Sequence, residues 1–242
     1  MNDDNDKYFE DLESFDPLGD LRKFLKSIPT GEEIKTPERK DIIIDDINSQ
    51  QTSPQRKIIV ISSPSGGGKS TIVEKLLHFS GNKFNLYYGI STTTRSPRPE
   101  EIKGINYEFV SKEMFLNAVR SGFFIEWDES SPGNYYGTSK KLLNRILRTH
   151  NYISELNTNG AKAMKAMYGD DCLTIFLAPP SFDILRERLE KRGTETKEEI
   201  KGRLDLAVKE LDDIDFFDHV IVNSDLEDTF NEVVNILENF II

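Results

Sequence analysis

Residues 58–71 read IIVISSPSGGGKST, and this stretch decides the fold. The β-branched run at 58–61 predicts a short buried strand, and the apolar residues Ile72, Leu76 and Leu77 then recur at helical spacing. A glycine-rich turn between a strand and a helix is the context that a P-loop requires. We therefore predict a strand, a phosphate-binding loop and a helix, in this order.

The predicted loop has the chemistry to hold phosphate groups. Glycines let the backbone approach closely, so that its N–H groups and the N-terminus of the next helix point at phosphate oxygens. Lys69 would reach the β- and γ-phosphates, and the hydroxyl of Ser70 would help to hold Mg²⁺. The motif G-x-x-x-x-G-K-[ST] has glycine where this chain has Ser63, but three later glycines remain. The expected contacts of a nucleoside triphosphate are Ser65, Gly66, Gly67, Gly68, Lys69, Ser70 and Thr71.

The composition argues against several other classes of protein. The chain has 242 residues, 37% of them hydrophobic, and its aliphatic runs are far shorter than the ~20 residues that span a bilayer. Its net charge of −11 argues against general nucleic-acid binding. The acidic N-terminus resembles neither a secretory signal nor a transit peptide, and a lone Cys172 cannot form an internal disulfide. We expect a soluble, cytoplasmic protein.

Charge and composition divide the chain near residue 55. The first 55 residues hold 14 acidic and 7 basic residues, four prolines and a polar run at 48–53. Low apolar content with high charge predicts an acidic, largely disordered extension. Two short apolar segments, 21–28 and 42–44, leave open a second interpretation, in which the extension docks on an unidentified partner.

Residues 56–242 alternate between strand-like and helix-like segments. Further strands are predicted at 172–177 and 220–222. Helices are predicted at 181–191, 198–211 and 225–240. Buried apolar strands that alternate with helices predict an α/β domain, a P-loop parallel sheet flanked by helices. Residues from about 85 to 137 are aromatic and strand-rich instead, so we expect a small insertion there.

A second group of residues suits a single phosphate group. Arg95 and Arg98 stand three residues apart beside Pro97, and Tyr107 follows. A guanidinium presents a planar fork that pairs with two phosphate oxygens. Taken alone, two such arginines are more often surface residues that bond turn carbonyls or acidic side chains.

Further motifs give these arginines a context. The chain carries TTRSPR at 93–98, GINY at 104–107, FIEW at 124–127 and GNYYGTS at 133–139. Together with the P-loop, and in this order, these segments resemble the guanylate kinase family. The resemblance spans residues 56–242, and an adenylate kinase would not be expected to combine the first and last of these motifs.

The resemblance implies transfer of the γ-phosphoryl group from ATP to GMP, with Mg²⁺ as cofactor. By motif position it implies that GMP contacts Ser91, Arg95, Arg98, Tyr107, Glu126, Tyr136 and Thr138. The chemistry of guanine agrees, because N1–H and the 2-amino group are two donors that the Glu126 carboxylate can accept side by side, while Ser91 can donate to O6. Adenine would leave that carboxylate unpaired, which would cost roughly 1–3 kcal/mol of binding free energy. The alternative is an exposed strand glutamate without a ligand.

The C-terminal half resembles the helical lid of the same family, at about 188–203. The resemblance implies that Arg192 and Arg203 close over the transferring phosphoryl group, with Arg188 nearer to ATP and Asn223 at the adenine. Otherwise these arginines pair with acids along an exposed helix. The expected catalytic cations are Lys69, Arg95, Arg192 and Arg203.

Residues 153–161 depart from the family pattern L-D-I-D-x-Q-G. Glu155 replaces the first aspartate, which lies near Mg²⁺ and phosphate, and it keeps the charge. Asn157 replaces the second aspartate, which contacts guanine, and it keeps only an acceptor oxygen. The resemblance thus implies Ser70 and Glu155 as Mg²⁺ ligands, directly or through water, and Asn157 as a weakened GMP contact.

Two other interpretations of the domain stay open. Scaffold proteins of this fold bind peptides without catalysis, but they typically lose the P-loop lysine and glycines, which this chain keeps. A regulatory or weakly active paralogue is the second, motivated by Glu155, Asn157 and the acidic extension. Assembly into a homo-oligomer is a further possibility that the sequence does not decide.

Overall fold

The larger sheet is built around the strand that precedes the glycine-rich loop. A computed structural model describes residues 56–193 and 196–242. Its strands are β1 (Ile58–Ser62), β2 (Leu86–Tyr88), β3 (Ser91–Thr93), β4 (Tyr107–Phe109), β5 (Phe124–Ser131), β6 (Asn134–Ser139), β7 (Asn151–Glu155), β8 (Cys172–Ala178) and β9 (His219–Val222). Five of them form a parallel sheet in the order β2-β7-β1-β8-β9.

The helices are α1 (Lys69–His78), α2 (Lys112–Arg120), α3 (Lys140–Ile146), α4 (Thr158–Tyr168), α5 (Phe182–Arg192), α6 (Lys197–Asp212) and α7 (Leu226–Ile241). Three of the helices in the described residues, α1, α4 and α7, pack on the parallel sheet. Every residue of β1 and β8 is buried, which explains their continuous apolar runs. Ile59 shares one cluster with Leu76 of α1 and Val233 of α7, so α1 is anchored directly behind the loop.

Local sequence signals fix where the later helices begin. The Ser181 hydroxyl accepts from the Ile184 N–H at the start of α5. Thr196 and Glu199 form a reciprocal capping box at the start of α6. These two caps stabilise the first turns of α5 and α6, the helices that carry the candidate lid arginines.

The strand-rich segment forms a separate compact unit at Ile90–Leu142. Its sheet has the order β4-β3-β6-β5, in which β3 and β4 are parallel and the other pairs antiparallel. Phe115 of α2 stacks on Phe124 with ring centroids 4.6 Å apart and lies 5.6 Å from the ring of Tyr135. Since side chains alternate along a strand, the other face of this sheet is left for polar residues.

The observed bounds differ from the expected ones in one informative place. The insertion was expected at about 85–137, but Leu86–Tyr88 pairs with β7 in the parallel sheet, and the separate unit ends at Leu142. The predicted acidic extension, residues 1–55, lies outside the described residues. Within the described chain no helix combines the length and apolarity that crossing a bilayer requires.

Candidate active site

The loop between β1 and α1 forms a cradle of backbone N–H groups. Gly68 is the N-cap of α1, and its φ of 98° lies in the left-handed region that favours glycine. No side chain of the described residues caps this helix, so its first N–H groups can bind an anion. The loop therefore has the backbone geometry of a phosphate site.

Close packing explains why this loop needs glycine. A Cβ atom on Gly67 would lie 1.6 Å from Ser63 Oγ, and one on Gly68 would lie 2.4 Å from Asn223 Nδ2. Ser63, which departs from the P-loop pattern, is buried and donates to the Pro64 carbonyl at 3.0 Å. Its hydroxyl fills the inside of the turn, so the departure leaves the cradle intact.

Lys69 lies at the centre of the charges in the larger unit. Its Nζ donates to the Ser63 carbonyl at 2.5 Å. Burial lowers the pKa of Lys69, the carboxylates of Glu155 and Glu210 oppose that shift, and the arginines Arg192 and Arg203 reinforce it. The structure thus gathers three of the predicted catalytic cations, Lys69, Arg192 and Arg203, around one point.

Ser70 and Glu155 lie together, as a shared metal site would require. The Ser70 hydroxyl donates to Glu155 Oε2 at 2.9 Å, and the Tyr88 hydroxyl donates to Oε1 at 3.3 Å. Hydroxyl and carboxylate oxygens are the ligands that Mg²⁺ prefers, together with substrate phosphates and water. Three or more potential metal-binding side chains do not cluster anywhere in the described residues. The two side chains therefore fit an ion that a bound nucleotide helps to hold.

Arg203 makes a polar bond to the loop, and Arg188 makes one to Asn223, whose side chain is bonded to the loop. Arg203 Nη1, on α6, donates to Ser65 Oγ at 2.7 Å. Arg188 Nη2, on α5, donates to the Asn223 carbonyl at 3.1 Å. Both helices therefore approach the phosphate cradle in this structure, which is the placement that the lid hypothesis needs.

The Asn223 side chain is buried beside the loop. Its Nδ2 donates to the Gly67 carbonyl at 2.7 Å, and its Oδ1 accepts from Thr229 at 3.1 Å. Its expected contact with adenine stays a prediction. The side chain joins β9 to the loop, so in this structure it positions the cradle.

A buried carboxylate marks the polar face of the smaller sheet. Glu126 exposes 6% of its surface, and its Oε1 accepts from Thr138 Oγ1 at 2.5 Å. Burial raises the pKa of Glu126 to about 7; the Thr138 bond partly offsets this, and the nearby Asp128 raises it further. A carboxylate poised near neutrality needs ligand donors to hold it ionised.

The two predicted phosphate arginines are joined by an acid that the sequence analysis missed. Glu101 accepts from Arg95 Nη2 at 2.7 Å and from the Arg98 backbone N–H at 2.8 Å. Burial favours its protonated form, but the arginine bonds outweigh burial and hold the pKa of Glu101 below its usual value. Arg95 Nε also donates to the Tyr136 hydroxyl at 3.1 Å. The fork is therefore held in one orientation.

The remaining predicted GMP residues divide between the units. Ser91 is buried at the start of β3 and pairs in register with Tyr107, whose ring centroid lies 5.9 Å from that of Tyr136. Asn157 belongs to the larger unit, where its Oδ1 accepts from the Gly160 N–H at 2.9 Å and caps α4. Seven of the eight predicted contacts thus lie in the smaller unit.

A family model described as guanylate kinase matches residues 55–240. The chain belongs to the guanylate kinase family. It is 42% identical over 186 residues to a guanylate kinase of Porphyromonas gingivalis, covering 76% of this chain and 98% of that protein. It is 41% identical to one of Chlorobium luteolum, covering 76% and 92% of the two chains.

A solved structure agrees with these relatives. The guanylate kinase of Anaplasma phagocytophilum superimposes with a TM-score of 0.64 at 32% identity, covering 78% of this chain and 87% of that chain. Fold and family of this guanylate kinase domain are therefore established together.

Within this guanylate kinase fold, two acids were missed by the sequence analysis. Glu101 lies three residues after Arg98, at the spacing of a local ion pair, and that spacing was the available signal. Glu210 on α6 lies seven residues after Arg203, and hence near the same helix face. Its approach to Lys69 depends on how the chain folds back, so no local pattern indicates it.

Proposed function

We propose that this protein transfers the γ-phosphoryl group of ATP to GMP, which gives ADP and GDP. The bond between the β–γ bridging oxygen and the γ-phosphorus breaks, and a GMP phosphate oxygen forms a new bond to that phosphorus. The single observation that carries the choice of acceptor is buried Glu126, bonded to Thr138 on the same sheet as the braced Arg95.

The Glu126 pair explains a preference for guanine. An ionised carboxylate accepts both N1–H and the 2-amino group, whereas adenine presents an acceptor at N1. An AMP complex would leave a buried carboxylate unpaired or protonated, and a site that loses such bonds rejects the wrong substrate strongly. Ser91, buried on β3, is the candidate donor to O6.

The arginines explain a phosphate acceptor rather than a nucleoside. Arg95 has more N–H donors than its bonds to Tyr136, Ser96 and Glu101 use. The free edge of this fork, with Arg98, would hold the GMP phosphate in a bidentate pair. Glu101 orients both arginines before the ligand arrives, which reduces the entropy lost on binding.

The larger unit supplies the donor side of the reaction. The loop N–H groups would hold the β- and γ-phosphates of ATP, with Lys69 on the transferring group. Arg192 and Arg203 would neutralise the charge that spreads over the equatorial oxygens in the transition state. Mg²⁺, held through Ser70 and Glu155, would supply further neutralisation at the β- and γ-oxygens.

A nucleotide panel tests the proposal directly. ADP release from ATP is measured with GMP, AMP, dGMP and UMP as acceptors, on the full chain. We expect turnover with GMP to exceed that with AMP at least a hundredfold, roughly the discrimination that unpaired buried polar groups produce. Equal turnover of AMP would contradict the guanine assignment. GMP binding without turnover would favour a binding module instead.

A reducing, cytoplasmic location is part of the same proposal. Its support is the single cysteine of the sequence, Cys172, which leaves no internal disulfide to stabilise the fold. Docking of residues 1–55 on a partner and self-association stay predictions from the sequence.

A further inference from the structure

Two strands of the larger sheet place a tyrosine beside the candidate metal ligands. β2 pairs with β7 in parallel, and Tyr88 lies opposite Ile153 in that register. Glu155 follows Ile153 by two residues, so Tyr88 and Glu155 are diagonal neighbours on one face of the sheet, within reach of an aromatic and a long side chain. Ile153 lies in the apolar cluster that includes Leu76 of α1, and Tyr88 packs against that cluster. Both side chains therefore lie on the side of the sheet that faces α1.

Two hydroxyls from different elements hold the Glu155 carboxylate. Ser70 of α1 donates to its Oε2 at 2.9 Å, and Tyr88 of β2 donates to its Oε1 at 3.3 Å. A hydroxyl has one hydrogen to donate and two lone pairs. Because the hydrogen of Ser70 is directed at Glu155, the lone pairs of its oxygen remain for a cation. The bond from Tyr88 occupies the other carboxylate oxygen and fixes the direction in which the carboxylate faces.

Without the bond from Tyr88, the carboxylate would have a competing partner. Lys69 precedes Ser70 in the chain, and its positive charge attracts Glu155. Glutamate is also a flexible side chain, and holding it in one rotamer costs conformational entropy. A second hydrogen bond restricts its rotation and opposes a turn toward the lysine. Tyr88 thus favours the orientation in which Glu155 lies beside Ser70.

We propose that Tyr88 is a positioning residue for Mg²⁺: its hydroxyl holds Glu155 beside Ser70, and so strengthens the binding of the ion that accompanies ATP. Hydrogen-bond partners behind metal ligands orient those ligands, and their loss weakens metal affinity about 10- to 100-fold. The bond from Tyr88 is longer than the roughly 2.5–3.0 Å that is usual between two oxygens, so the lower end of that range applies. This inference rests on the proposed function, because it needs ATP at the loop.

The test measures how strongly Mg²⁺ and the nucleotide reinforce each other's binding. An ATP analogue with a non-hydrolysable imido bridge between the β- and γ-phosphates is titrated into the full chain by calorimetry, once with excess Mg²⁺ and once with EDTA. We expect the original chain to bind it about 50-fold more tightly with Mg²⁺, a usual coupling between two ligands. In Tyr88→Phe that gain should fall to about fivefold, because affinity falls about tenfold with Mg²⁺ and stays unchanged in EDTA.

Tyr87→Phe is the matched control. It removes a hydroxyl from the neighbouring residue of the same strand, and successive residues of a strand point to opposite faces. The ring of Tyr87 packs on His150, with centroids 5.6 Å apart. Both dissociation constants of this variant should therefore equal those of the original chain.

A double variant tests whether Tyr88 acts through Glu155. Glu155→Ala removes the carboxylate and should itself reduce the gain that Mg²⁺ gives. Adding Tyr88→Phe to Glu155→Ala should then cause no further loss, because a residue that acts only by orienting another has no effect once that other is absent. A second tenfold loss in the double variant would contradict the inference.

The possible results separate this inference from the function on which it rests. If the analogue does not bind the original chain, the proposed function and the inference both fail. If it binds equally well with Mg²⁺ and with EDTA, the metal site is wrong but binding of ATP stands. If Tyr88→Phe leaves both constants unchanged, or raises both by the same factor, only the positioning role of Tyr88 is wrong.

Discussion

The larger unit offers phosphate a surface of backbone, whereas the smaller unit offers side chains. In the loop, Gly67 and Gly68 allow the N–H groups to approach an anion, and a Cβ at either would collide with Ser63 or Asn223. In the small sheet, strand alternation projects Glu126 and Tyr136 from one face, and Glu101 orients the arginines. One site is defined by shape, the other by functional groups.

This difference predicts different sensitivities to mutation. A backbone site should tolerate changes of charge in its neighbours but not an added methyl group. A side-chain site should tolerate small changes in backbone but not the exchange of a carboxylate for an amide of the same size. Lys69 is the exception in the larger unit, because it contributes a charge and not a shape.

Lys69→Ala tests that exception and should have the largest effect. It removes the cation that lies among Glu155, Glu210, Arg192 and Arg203. We expect kcat to fall about a thousandfold, since charge stabilisation is the main catalytic contribution in phosphoryl transfer. Steady-state kinetics with ATP and GMP measure the loss. Lys75→Ala is the matched control, because it removes another lysine of α1, a half-buried one that pairs with Glu227 of α7.

Glu126→Gln tests the side-chain site and should act on GMP alone. The amide presents its own donors to guanine, so the Michaelis constant for GMP should rise about a hundredfold while that for ATP stays unchanged. The two constants are measured by varying each substrate in turn. A parallel rise in both constants would mean that Glu126 supports the fold and does not read the base.

The same substitution should make the protein more stable in alkali. With its pKa raised to about 7, Glu126 favours folding fully below its unfolded pKa near 4.5, and this contribution is lost as the pH rises through 7. The neutral variant avoids that loss, worth about 3 kcal/mol at pH 8. Urea unfolding of both proteins at pH 5 and pH 8 measures the difference, which should be small at the lower pH.

Gly67→Ala tests the shape of the backbone site. Its Cβ would fall on Ser63 Oγ, so we expect the Michaelis constant for ATP to rise about tenfold, the scale of a displaced loop that loses one hydrogen bond. The double variant Ser63→Gly with Gly67→Ala removes the colliding hydroxyl and should recover part of the affinity. No recovery would mean that the Pro64 carbonyl, 3.0 Å from the added atom, is the real obstacle.

The backbone site could be predicted from the sequence more fully than the contacts between distant residues. The loop is contiguous, so the strand, cradle and helix at 58–78 follow from local spacing, and the parallel sheet follows from alternation. The bond between Asn223 and Gly67 joins residues far apart in the chain, and Leu86–Tyr88 finds its place only through β7. Local patterns contain no information on such partners, because folding alone brings them together.

Asn157→Asp tests whether the smaller unit alone recognises guanine, and it should have the smallest effect of these substitutions. Asn157 belongs to the larger unit and caps α4, yet the family pattern assigns its position to guanine. Aspartate caps a helix about as well as asparagine, so the free energy of unfolding should change by less than about 0.5 kcal/mol. An added carboxylate would accept a guanine donor more strongly, and the Michaelis constant for GMP should fall about threefold. Unchanged GMP kinetics at unchanged stability would restrict Asn157 to capping, and would assign guanine recognition to the smaller unit alone.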